Sequence, residues 1–179
     1  MAQFLTSIFR VATRTVFLPG GWIFFALLAF SVIGLAKVEA GEKIVIGEIE
    51  DIILLPWGIK LPARIDTGAA ISSLDAQELK VEADFAEFKL PRKHGGKQLR
   101  LPIVDWCDIR SSEVRERRPI VEVDMCIGSK RVRTKVNLNN RSGVKYPLLI
   151  GRNTLKENFV VDCTRERCSP PSCPEVPSQ

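Results

Sequence analysis

The sequence predicts an all-β domain over residues 41–163, preceded by a hydrophobic helix and followed by a short tail, and three observations predict it. From Ile59 to Asp66 apolar and polar side chains alternate, the period of a strand with one buried face. Residues 120–138 divide around Gly128-Ser129 into two stretches whose facing residues match in chemistry. Between Lys43 and Leu55, β-branched and apolar runs end at Pro56 and Gly58, as strands end at turns.

The first forty residues have a different character. Arg10 and Arg14 precede an unbroken apolar run of 15 residues from Trp22 to Ala36, followed by Val38-Glu39-Ala40. The run suits the core of a signal peptide and is short for a span, which needs about 20 residues. Two readings follow: a signal peptide cleaved near Ala40, or an uncleaved anchor that recruits Phe17 and Leu18 and touches the membrane through residues 17–36. Either keeps the Arg-bearing end in the cytoplasm. The domain is therefore expected to be exported, either periplasmic or anchored to the outer side of the membrane.

Within the domain the elements are read in order. Ile44 and Ile46, then Ile52 to Leu55, are strand segments. Ile59, Leu61, Ala63 and Ile65 form the buried face of the next strand, which ends at Asp66. Thr67-Gly68 turns, and Ser72-Ser73-Leu74 is a short strand. Lys93 to Lys97, with two glycines, is a hairpin tip between Phe85–Leu90 and Gln98–Val104, and Arg115 to Arg118 is an exposed loop. In the hairpin at Gly128-Ser129 a two-residue turn sets the register. It opposes Met125 to Val132, Val123 to Thr134 and Val121 to Val136 on one face, and Asp124 to Arg133 and Glu122 to Lys135 on the other. The strip Arg131, Arg133, Lys135 is then either cross-strand charge pairing or a surface for an acidic substrate. Tyr146 to Gly151 is a buried strand, Asn153 to Phe159 a helix capped by Asn153, and Phe159 to Asp162 the last strand. The Cys- and Pro-rich tail 164–179 is expected to be disordered.

The chain carries +5, but residues 41–179 hold 23 basic and 20 acidic groups. That mild excess has no nucleic-acid module behind it. The five cysteines, Cys107, Cys126, Cys163, Cys168 and Cys173, allow disulfides in an oxidising compartment, and an odd count leaves at least one out. Cys107 and Cys126 read equally well as small buried residues. His94 is the only histidine, and no spacing matches a structural zinc site.

Asp66-Thr67-Gly68 carries the chemistry. Peptide hydrolysis by carboxyl groups needs two of them a hydrogen bond apart sharing one proton, one activating water and the other donating to the scissile carbonyl. Each must sit in a tight turn, where a glycine two residues on lets the chain turn and the partner loop approach. Alone the triplet is a weak signal and justifies only a β-turn. It gains weight from the strand before it, from Ala69 to Leu74 after it and from Leu148-Leu149-Ile150-Gly151-Arg152 later on.

These segments, with Ala63-Arg64-Ile65, Ser72-Ser73-Leu74-Asp75-Ala76, Arg110-Ser111-Ser112, Arg118-Pro119, Asn140-Arg141-Ser142, Tyr146-Pro147 and Phe159-Val160-Val161-Asp162, resemble the bacterial retropepsin-like aspartic peptidases that have carried the name ATP-dependent zinc protease. The likeness runs over residues 43–163, so residues 163–173 look like an addition to the core pattern.

The resemblance implies a closed acid-protease barrel with one short C-terminal helix and one catalytic residue, Asp66, per chain. Thr67, Gly68 and Ala69 would form the active-site loop, with Ser72, Arg141, Gly151 and Arg152 supporting it or binding substrate. A surface or structural ion pair is the competing reading of Arg141 and Arg152. One Asp-Thr-Gly per chain implies a C₂ homodimer with the site on its axis. The partner is a peptide or protein substrate. Association of family members with glutamate ligases suggests acidic, glutamate-containing peptides. Neither half of the old family name fits: there is no His-Glu-x-x-His and no phosphate-binding loop, so no metal, ATP or other cofactor is expected. The alternative is a non-catalytic exported binding module on the same fold.

Overall fold

The structure, a computed structural model, describes residues 42–110 and 115–174, with Arg110 and Arg115 as backbone alone. The proposed signal or anchor, residues 1–40, lies outside the described residues, as does the end of the tail.

In chain order the strands are β1 (Ile44–Ile46), β2 (Ile49–Leu55), β3 (Ile59–Ile65), β4 (Ser72–Asp75), β5 (Gln77–Glu82), β6 (Phe85–Lys89), β7 (Gln98–Arg110), β8 (Arg115–Ile127), β9 (Lys130–Asn139), β10 (Leu148–Ile150) and β11 (Phe159–Val161). One short helix, α1 (Arg152–Leu155), sits between the last two strands. Six strands close on themselves in the order β2-β3-β10-β4-β9-β8, because β8 returns to pair with β2. The domain is thus a closed barrel with one short C-terminal helix, as expected. Closure leaves the barrel itself no open edge. Sheet pairing continues outward from β8 through β7, β6 and β5, while β1 and β11 form a separate parallel pair.

Alternation explains why these segments become barrel strands. Leu61, Ala63 and Ile65 of β3 are buried, while Lys60 and Arg64 face solvent. Across the barrel Leu54, Leu74, Met125, Val136, Leu148 and Ile150 are fully buried. Burying side chains of this size contributes about 1.5–3 kcal/mol each against leaving them in water.

The β8–β9 hairpin has the expected register, with Met125 opposite Val132, Val123 opposite Thr134 and Asp124 opposite Arg133. Asp124 takes ion pairs from Arg131 (2.9 Å) and Arg133 (2.7 Å), and Lys135 reaches Asp105 at 3.6 Å. The basic strip is therefore engaged in charge pairing. The hairpin around Lys93–Lys97 also forms, with Phe85 opposite Pro102 and Lys89 opposite Gln98.

Three expectations are corrected. Arg115–Arg118 is the start of β8, not a loop: Asp108 faces Arg117 and Cys107 faces Arg118 on a paired arm. A charge run is compatible with a strand when both of its faces meet water and its charges find partners. Here Glu116 holds Arg118 at 2.6 Å, and the Arg117 guanidinium lies 4.7 Å from the centre of the Trp106 ring. The helix spans Arg152–Leu155, not Asn153–Phe159. Extended Gly151 delivers the chain into it one residue earlier, and the Asn153 side chain is used elsewhere instead of capping.

The third correction concerns the tail, which is not disordered through residue 174. It packs on the barrel, and Cys173 forms a disulfide with Cys126. Composition pointed to disorder, but the segment gains a covalent tie and a buried hydrogen-bonding partner in Glu50. Cys107, Cys163 and Cys168 remain as thiols.

Candidate active site

β3 ends at Ile65, and its direction carries Asp66 to the mouth of the barrel. The Asp66 N–H donates to the Ile150 carbonyl at 2.9 Å, which ties the strand end to β10. β3 and β10 run parallel here, with Ile65 beside Ile150. The chain then turns back on the Asp66 side chain. Gly68 N–H and Ala69 N–H donate to Asp66 Oδ1 at 2.9 and 3.1 Å. Two backbone dipoles thus fix one carboxyl oxygen, while Oδ2 accepts no hydrogen bond among the described residues. Asp66 is half-buried, and Thr67 and Gly68 are exposed.

The outer side of the loop is held by Arg152. Its Nη1 donates to the carbonyls of Thr67 at 3.0 Å and Gly68 at 2.6 Å. The backbone of α1 continues the attachment, with Arg152 N–H donating to Ala69 O and Asn153 N–H to Ala70 O. This contact is close enough to require a glycine. A Cβ on Gly151 would lie 2.8 Å from the Ile71 carbonyl carbon and 3.0 Å from the Ala69 and Ile71 oxygens.

Ser72 lies behind the loop, fully buried. Its Oγ accepts from Gly151 N–H at 3.0 Å, donates to Asn153 Oδ1 at 3.0 Å and meets Thr154 Oγ1 at 2.8 Å. Asn153 Oδ1 also accepts from Ser72 N–H, while its Nδ2 donates to Thr134 Oγ1 at 2.9 Å and Lys135 O at 2.7 Å. Thr134 and Thr154 hydroxyls are 2.8 Å apart. One amide therefore joins β4, β9 and α1 behind Asp66. Sequence reasoning found Ser72 but missed Asn153, Thr134 and Thr154. The only signal was that Asn153 directly follows the Gly151-Arg152 pair.

Arg141 stands apart from this cluster. Its N–H donates to buried Asp75 at 2.8 Å and its Nε to the Tyr146 carbonyl at 3.5 Å. Burial pushes the guanidinium below its ordinary pKa, Asp75 and Asp66 pull it back up, and Arg118 lowers it further. Arg141 thus lies within electrostatic range of Asp66. With Arg92, Lys93, Asp75, Ser142 and Pro147 it lines a cleft of about 320 Å³. A second, open groove of about 610 Å³ begins at Thr67 and Arg152 and continues over Leu155, Phe159 and Val161. Among the described residues no three His, Cys, Asp or Glu side chains converge as metal ligands do.

Comparisons with known proteins agree with this geometry. A solved Legionella pneumophila protein of unknown function (Lpg0085, DUF785) is 28% identical and superposes with a TM-score of 0.62 over 72% of this chain and 99% of that one. The simian foamy virus (mac) protease is 14% identical over 60% of this chain and 91% of its own, at a TM-score of 0.38, too low to bear on the fold. A probable alpha-L-glutamate ligase of Parasynechococcus marenigrum (strain WH8102) is 28% identical over 133 residues, 68% of this chain. The chain spans only 28% of that relative's length. The model of the RimB-like family, retropepsin-like aspartic endopeptidase RimB, matches residues 45–172. That match reaches well past Cys163 and takes in most of the C-terminal segment, which is therefore not an addition to the family pattern. Asp66 and its loop lie inside the match, on the closed barrel that the resemblance implied, and the chain belongs to the RimB-like family of retropepsin-like aspartic endopeptidases.

Proposed function

We propose that this chain is an aspartic endopeptidase that hydrolyses peptide bonds as a homodimer, with the Asp66 carboxyls of two copies as its dyad. The observation that carries the reading is the Asp66 loop: a carboxyl with one oxygen gripped by two backbone N–H groups, on an exposed turn, once per chain. Two such carboxyls brought together cannot both ionise, so one proton is shared. One carboxyl takes a proton from water as it attacks, and the other gives its proton to the carbonyl oxygen. Exposed Thr67 and the apolar groove beside it support a second copy as the partner of this face.

For substrate we propose acidic, glutamate-containing peptides. The cationic groups of Arg92, Lys93 and Arg141 line the cleft, and the match to a probable glutamate ligase points to the same chemistry. We also propose that the domain works outside the cytoplasmic membrane. The Trp22–Ala36 run supports export, and the Cys126–Cys173 bond supports an oxidising compartment.

The test compares wild type with Asp66→Asn on peptide libraries from pH 4 to 7, alongside sedimentation at rising concentration. A bell-shaped acid-side profile and preference for Glu over Gln peptides are expected of the wild type, with no turnover by the variant. Equal cleavage by both proteins, or a chain that stays monomeric while cleaving, would refute the reading.

A further inference from the structure

The C-terminal segment from Asp162 to Cys173 runs back along the turn between β1 and β2 and ends against the turn between β8 and β9. Its backbone is joined to the barrel at each stage. Asp162 N–H donates to Ile46 O, Glu48 N–H to Arg165 O, Arg167 N–H to Ile49 O, and Ser172 N–H to Gly128 O, all between 2.6 and 2.9 Å. The approach at Gly47 is so close that a Cβ there would lie 2.4 Å from the Arg165 carbonyl oxygen. The segment ends in the Cys126–Cys173 disulfide.

Beneath it lies Glu50, fully buried in β2 and unused by the peptidase chemistry. Oε1 accepts from Gly47 N–H (2.6 Å), Cys168 N–H (3.2 Å) and the Cys168 thiol (3.3 Å), and Oε2 from Ser169 N–H at 3.2 Å. Three of these four donors belong to the C-terminal segment. Without the segment Glu50 would keep a single donor, the Gly47 N–H. Water would take the place of those donors, and the β1–β2 turn, tied to the segment through Glu48 and to Glu50 through Gly47, would lose its outer support.

The loss of that support reaches the candidate site along a short path. Arg165 O accepts from Glu48 N–H at 2.8 Å, and Glu48 O accepts from Ile65 N–H at 2.8 Å. The next residue is Asp66. We infer that residues 163–173 form a clamp that positions Asp66 through Glu48 and Glu50, and that the Cys126–Cys173 bond holds the clamp shut. Glu50 is thus a positioning residue. The bond makes the clamp sensitive to dithiol reductants: two electrons and two protons pass from the dithiol, the sulfur–sulfur bond becomes two thiols, and the reductant closes to its own disulfide. Because both sulfurs are buried, the segment must open locally before they can react.

The effect on catalysis rests on the proposed peptidase reading; the clamp itself does not, so amide exchange is measured beside turnover. Two full-length variants are compared with wild type: Cys126→Ser/Cys173→Ser and Glu50→Gln. Wild type is also measured with and without dithiothreitol, at a temperature where each protein is folded by near-ultraviolet circular dichroism. With the bond absent or reduced, the amides of Arg167, Ser169 and Ile65 are expected to exchange about tenfold faster while Leu74 in β4 does not change, the pattern of a local opening. kcat is expected to fall with KM unchanged, and reoxidation to restore it in wild type. Glu50→Gln, which turns one accepting oxygen into a donor facing donors, should speed Ile65 exchange with the bond intact. Faster exchange at Arg167 and Ser169 with no change at Ile65 would overturn the inference, since the segment would then be an independent appendage. No change at any of these amides on loss of the bond would overturn it as well. If wild type shows no turnover on any peptide, the peptidase reading fails and the exchange data still decide the clamp.

Discussion

Gly151→Ala tests how closely the candidate site is built. Gly151 has ordinary extended backbone angles, φ −95° and ψ 179°, so alanine meets no conformational penalty there. The obstacle is space. Its Cβ would lie 2.8 Å from the Ile71 carbonyl carbon, whereas ordinary contact begins near 3.4 Å. The Ala69–Ile71 backbone must therefore retreat by about 0.6 Å, and no flexible side chain is available to give way. Overpacking of this kind costs about 1–3 kcal/mol, which for a domain of this size lowers Tm by roughly 4–10 °C. The larger effect is expected on turnover, because the displaced segment carries the N–H of Ala69 that holds Asp66 Oδ1. A misplacement near 1 Å can cost on the order of 10²-fold in rate. The assay is kcat on a cleaved peptide together with Tm by circular dichroism. An alanine variant with wild-type Tm and wild-type kcat would refute the claim that this glycine exists for close approach.

Other predictions follow from the same contacts. Asn153→Asp keeps shape but replaces Nδ2 by an oxygen facing the Lys135 carbonyl at 2.7 Å; calorimetry should show a loss of about 0.5–1.5 kcal/mol, the scale of one hydrogen bond at an exposed residue. The Asp124 carboxyl is held down at about 2, chiefly by hydrogen bonds from Arg133 and Arg131. Because the folded value is depressed, its stabilisation is present above the ordinary carboxylate range and is lost as pH falls through about 4 toward 2. Asp124→Asn should therefore cost about 1 kcal/mol at neutral pH, the scale of a partly exposed pair, and flatten the fall in urea midpoint between pH 4 and 2.

The legible parts of the molecule were those specified locally. The β8–β9 hairpin could be read residue by residue because both faces carry matched side chains around a two-residue turn. β3 was readable from its alternation, and the Asp66 loop from a triplet at the end of that strand. What escaped the sequence was long-range. Glu50 meets Cys168 and Ser169 across more than a hundred residues, and nothing in the local pattern of β2 marks position 50 as buried. The Cys126–Cys173 pairing follows from barrel closure, which brings the end of the chain to the Gly128 turn. The charge run Arg115–Arg118 imitates a loop, whereas on a two-stranded arm both faces can be polar. Asn153 was assigned to a cap because asparagine commonly serves as one; here its amide fills a gap between three elements instead.

The way Arg152 grips the turn also bears on assembly. With the N–H groups of Gly68 and Ala69 turned inward to Asp66 and the carbonyls of Thr67 and Gly68 taken by one guanidinium, the turn has its backbone hydrogen bonds in place within a single chain. In the homodimer proposed above, a half-site of that kind would be preorganised, so a second copy would meet a finished surface and need not complete its folding. Two such halves would then remain folded and inert when apart. In dilute solution, activity would rise with the square of the chain concentration, and local abundance alone would set when the site exists.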